Sequence, residues 1–150
     1  MKRSWGIWAL TAALTIMAPS AVPVSPAYAA DDQWVLLDED PSTSRYYYDT
    51  TSIVQDDEDS VTVRTKAVYT AEGKADALDT IGHPKGFEDL ADTNFYYTIN
   101  CSDDMSRLEK VVHRDSTGRT IKEYLLAGKT PWEQIEADTR MSLLRDAVCD

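Results

Sequence analysis

The chain is poor in the residues that usually announce chemistry. Its 150 residues include two cysteines, two histidines and two phenylalanines. There is no Cys-x-x-Cys-His pair, which excludes covalently attached haem. His83 and His113 stand in no metal-ligand motif. No nucleophile elbow of the Gly-x-Ser-x-Gly type occurs. Carboxylates are plentiful, but nothing marks two of them as a buried, coupled pair fit for acid–base work. These absences point away from an enzyme and imply no cofactor and no metal. Long hydrophobic runs are also missing after the first thirty residues.

Positive charge is scarce too: 15 Lys and Arg stand against 26 Asp and Glu, a net charge of −11. Such a chain repels nucleic acid and anionic membrane surfaces.

What is present begins with the N-terminus. Lys2 and Arg3 precede an apolar stretch from Trp5 to Ala18, then Pro19, Pro23 and Pro26, then Ala27-Tyr28-Ala29. This is the order of a secretory signal, with removal expected after residue 29. The apolar stretch is short for a membrane span. The expected organisation is a leader over 1–29 and a single domain over 30–150, not membrane-spanning after cleavage. Losing Lys2 and Arg3 leaves 13 basic against 26 acidic residues, a net charge of −13. Cys101 and Cys149 both survive cleavage. An even cysteine count in an exported chain reads as one disulfide. The destination is periplasmic or secreted.

Alternation marks the strands. Trp34–Leu37, Arg45–Asp49, Ser60–Ala71, Thr93–Cys101, Met105–Arg114 and Arg119–Leu126 read as six strands. The last two form a hairpin through Asp115-Ser116-Thr117-Gly118. Phe95, Tyr97, Ile99 and Cys101 share one parity and so one face. Thr130-Pro131-Trp132-Glu133 has a helix-start pattern, and Asp138-Thr139 offers a second. The main helix is expected from about Thr139. Leu144, Ala147 and Val148 would face the sheet, and Arg140 and Arg145 would face water. The fold class is α+β: about six antiparallel strands, one face covered by a C-terminal helix stapled through Cys101 and Cys149. The stretch 72–92 has three glycines, one proline and few large apolar residues. It reads as a mobile loop with at most a short helical piece around 75–78.

Two features could bind something. The run Asp56-Asp57-Glu58-Asp59 lacks the Asp-x-Asp-x-Asp-Gly spacing of a calcium loop and reads as a solvated turn. Tyrosines cluster at 46–48 and 96–97. Neighbours in a strand point to opposite faces, so some of them stand outside the helix-covered side. Tyr46, Tyr48 and Tyr96 are the candidate interaction surface.

The ordered set Trp34-Val35, Tyr48-Asp49-Thr50-Thr51-Ser52-Ile53, Val61-Thr62-Val63, Tyr97-x-Ile99-x-Cys101, Arg107, Gly118, Trp132-x-x-Ile135, Leu144 and Val148-Cys149 resembles the surface-adhesin protein E-like family of small exported bacterial proteins. The resemblance spans the mature chain. It implies the same sheet-and-helix architecture and a binding role. The family's named member is an adhesin for host matrix and plasma proteins and a haem binder, but none of its binding residues maps onto a position here. The expected function is a non-enzymatic binding module with a protein partner in the periplasm or at the cell surface. A dimer is compatible with this reading. The alternative is a carrier of a small apolar ligand such as haem.

Overall fold

The computed structural model describes residues 33–149. The expected leader lies outside the described residues. Strand β1 (Trp34–Asp40) turns into β2 (Ser44–Asp49), and a short 3-10 turn leads to β3 (Val54–Gln55). The long β4 (Ser60–Tyr69) runs into helix α1 (Ala71–Ile81). Then come β5 (Leu90–Asn100), β6 (Met105–Asp115), β7 (Thr120–Leu125), β8 (Glu133–Gln134) and helix α2 (Arg140–Val148). Six strands form the main sheet in the order β1-β2-β4-β5-β6-β7, with β3 added to β4 and β8 added to β6. Every recorded pairing is antiparallel. The α+β architecture expected from the sequence is the one observed.

One face of the sheet is covered. Alternate β4 residues Val61, Val63, Thr65 and Ala67 are buried, opposite Ile99, Tyr97, Phe95 and Thr93 of β5. The heart of the core is Val63, Ile99, Ile135 and Leu144. Leu37, Tyr48, Ile53, Met141 and Val148 close around it. Leu144 belongs to α2, so the C-terminal helix is part of this core and not an appendage. The Cys101–Cys149 disulfide ties its end to the end of β5, with the two Cα atoms 5.6 Å apart.

Local chemistry accounts for the helix ends. Thr139 caps α2 by accepting a hydrogen bond from the Ser142 backbone, while Ser142 reciprocates. The other start pattern, at Thr130, makes no helix. The Thr130 hydroxyl donates instead to the carbonyl of Leu108, and Glu133–Gln134 add a two-residue strand to β6. Tertiary pairing wins because β6 still has open backbone groups beside Met105 and Ser106. Arg140 and Arg145 do not simply face water: they pair with Asp38 and Asp104 at 2.9 and 3.1 Å.

The stretch 72–92 is also corrected. It opens with an eleven-residue helix, α1, not an irregular loop. Thr70 caps it, accepting from the Gly73 N–H, and Gly82 ends it in the left-handed conformation (φ 80°). Three alanines and one leucine suffice for propensity, and packing against the sheet does the rest. Gly73 is the contact that sets this packing. A Cβ there would lie 1.8 Å from the Thr43 carbonyl oxygen in the β1–β2 turn. Gly73→Ala is therefore expected to push α1 off that turn and to cost about 1–3 kcal/mol in a denaturant melt. Amide exchange should rise across 71–81. Unchanged stability and exchange would contradict this account of the helix seat.

Candidate binding faces

The sheet has two chemically different sides, because strand parity sorts its residues. The side away from the helices carries rings and cations in contact. The Lys66 ammonium lies 4.0 Å from the Trp34 ring centroid and 5.7 Å from that of Tyr47. The Arg64 guanidinium also stands over Trp34, at 4.9 Å. Lys110 covers Tyr96 at 4.4 Å, and Arg107 covers Trp132 at 4.7 Å. Each such contact contributes about 0.5–1 kcal/mol when exposed. A bulge in β6 between the Tyr96 and Tyr97 pairings sends both Glu109 and Lys110 to this side.

Three arginine ion pairs on this face share one orientation, whereas in the Lys110–Glu123 pair the carboxylate is the more exposed partner. Arg64 pairs with Asp49, Arg107 with Glu109 and Arg114 with Asp92. In each arginine pair the cation is the more exposed partner, most clearly for Arg64, whose side chain is 19% exposed against 1% for Asp49. Asp49 is deeply set. Burial opposes its charge, but the Thr51 hydroxyl and the Arg64 guanidinium outweigh that and hold its pKa below the ordinary value. An acidic protein thus turns cations and aromatic rings outward on one flat side. Val68, Leu36 and Leu125 add exposed apolar area there, the last at 62%.

The helix-covered side leaves a trough between α1 and α2. At the α2 end, Tyr46, Tyr69, Phe95 and Tyr97 line a hollow of about 300 Å³ with Ser44, Ala67, Arg140 and Met141. At the α1 end, Ala77, Thr80, Ile81, Leu90 and His113 line another of about 280 Å³, again with Tyr69 and Phe95. The floor is satisfied internally. Tyr46 and Thr65 hydroxyls share a 2.8 Å hydrogen bond, and Tyr69 donates to Thr93, which meets His113 Nδ1 at 2.8 Å. Burial raises the phenol pKa values of Tyr46, Tyr69 and Tyr97, so these rings stay neutral. Burial lowers that of His113, which is neutral at pH 7.

Parity decides the fate of the candidate tyrosines. Tyr96 lies on the open side, against Lys110. Tyr46 is 4% exposed and belongs to the covered side, which removes it from any exposed surface. Tyr48 packs against the core on that side as well. The tyrosine that β2 presents outward is Tyr47. Three tyrosines in a row conceal the parity of β2. It is fixed only by the pairing of Tyr46 with Ala67 and Tyr48 with Thr65. Trp34, Lys66, Lys110 and Arg140 were missed. The alternation of Arg64 and Lys66 with Val63, Thr65 and Ala67 was the one signal that could have shown a cationic side.

The other candidates are dispersed. The carboxylates of Asp56, Asp57 and Asp59 are engaged separately, by the Thr62 hydroxyl, the Asp59 backbone and the Ser102 hydroxyl. His83 pairs with Asp79 at the exposed end of α1. Among the described residues no group of three His, Cys, Asp or Glu is placed to hold a metal ion. No described helix is long and apolar enough to cross a membrane.

The family model for Surface-adhesin protein E matches residues 34–150. The chain belongs to this family. The match starts at Trp34, the ring under Lys66, and runs past Cys149 of the disulfide, so it covers both sides of the sheet. No curated protein and no solved structure matches the chain.

Proposed function

We propose that this surface-adhesin E-like protein is an exported, non-enzymatic binding module that engages a protein partner through the open side of its sheet. The leader over 1–29 would be removed on export, leaving a domain that acts in the periplasm or at the cell surface. One observation carries the reading: that side is left uncovered by both helices and is paved with Trp34, Tyr47, Tyr96 and Trp132, each in contact with a Lys or Arg. Aromatic rings and arginines are enriched at the energetic centres of protein interfaces, the rings because they bury large area with little rotamer loss and arginine because its planar fork both stacks and hydrogen-bonds. The disulfide fits an oxidising compartment.

A photo-crosslinking residue placed at Tyr96 tests this in the producing cell. A second, placed at Leu143 on the outer side of α2, serves as control, since Leu143 is exposed. Discrete adducts with envelope or surface proteins are expected from position 96 and not from 143. Adducts from neither, or the same adducts from both, would overturn the assignment of the open side.

A further inference from the structure

The trough on the opposite, helix-covered side has a polarity of its own. One end is apolar, formed by Ile81 and Leu90. The other ends at Arg140. That guanidinium lies 4.6 Å from the Tyr46 ring centroid, and its Nε donates to Asp38 at 2.9 Å. Its two terminal nitrogens have no hydrogen-bond partner among the described residues. A planar fork is thereby held in place at the mouth of an aromatic hollow, with its outer edge available. Tyr69 and Phe95 line both hollows, so the two adjoin at these rings. Each lies near the low end of the usual ligand-site range of about 300–1,000 Å³, and a ligand that reaches across the rings would occupy both.

We infer that the trough binds a small amphiphilic monocarboxylate. The carboxylate would meet the terminal nitrogens of Arg140, and the apolar body would lie across Phe95 and Tyr69 toward Ile81 and Leu90. A carboxylate matches the fork with two parallel hydrogen bonds, which a neutral head group cannot make. The floor hydroxyls are already paired with one another, so they favour a body without polar groups. Asp38 fixes the guanidinium through Nε and offsets part of its charge, which favours one carboxylate over a di- or trianion. This site is on the other side of the sheet from the proposed protein surface and stands or falls independently of it.

Calorimetric titration of the disulfide-intact protein with decanoate, 2-naphthoate and neutral decanol tests the inference. Saturable one-to-one binding of at least one of the two acids is expected, with decanol weaker. Arg140→Gln should weaken the acid on the order of ten- to a hundredfold and leave decanol unchanged. Ala77→Trp, which fills the apolar end, should weaken acid and alcohol together. Far-UV circular dichroism of each variant checks that it is folded. If Arg140→Gln is misfolded, Arg140→Lys replaces it, with a smaller loss expected because the charge is kept and the fork is not. No saturable binding of either acid, or equal binding by the wild type and the folded Arg140 variant, would overturn the inference.

Discussion

Cys149→Ser should lower the melting temperature by on the order of 15 °C, with the C-terminal helix loosening first. The disulfide joins residues 48 apart in sequence. The chain-entropy account gives about 4 kcal/mol for closing such a loop. A small domain is held together by only about 5–15 kcal/mol in all, so the loss takes a large part of the margin. The structure says where it will be felt. Cys101 and Cys149 both pack on the cluster of Val63, Ile99, Ile135 and Leu144, so the bond sits at the core and not at a frayed end. Thermal melts of wild type, Cys149→Ser and the double variant Cys101→Ser/Cys149→Ser measure it. The two variants should agree, because the remaining thiol has no partner: no free cysteine is present. A variant that melts with the wild type would show that helix packing alone holds the tail.

Leu144→Ala should cost about 2–5 kcal/mol in urea unfolding. Leu144 is fully buried and is the α2 side chain at the centre of the core. Truncation leaves a void among Val63, Ile99 and Ile135, and the disulfide restrains the helix from collapsing into it. The neighbouring Leu143 is 47% exposed, so Leu143→Ala is the internal control and should change stability by less than about 0.5 kcal/mol. Equal effects at 143 and 144 would mean that the helix is seated by something other than this side chain. The two experiments also interact. In the Cys149→Ser background Leu144→Ala should cost less, since a freed helix relaxes around the void.

Much of the fold was legible in the chain. Strand alternation in Val61–Tyr69 and Phe95–Cys101 named the covered side, since a half-buried antiparallel sheet forces a period of two. The disulfide followed from two cysteines in an exported chain and from the parity that put Cys101 under the last helix. The Thr139 cap and the Leu144 stripe were local signals, and the structure kept both. The candidate site was far less legible. Helix α1 was hidden because its own apolar content is slight. It exists through Thr70, through Gly82 and through the close approach of Gly73 to Thr43, a contact between residues thirty positions apart.

Composition and periodicity thus determined what is read along one strand or one helix: the six main strands, the stapled tail and the absence of catalytic motifs. Only the tertiary structure decided which tyrosines face out, because Tyr46-Tyr47-Tyr48 has no alternation to read and its parity is set by hydrogen bonds to β4. The same holds for Lys66 over Trp34, where β1 and β4 meet only across β2, and for Arg140 over Tyr46, which α2 brings back across most of the chain. Local pattern encodes burial. Which groups meet on a surface depends on strand register and helix docking, and these are properties of pairs of segments that no single segment carries.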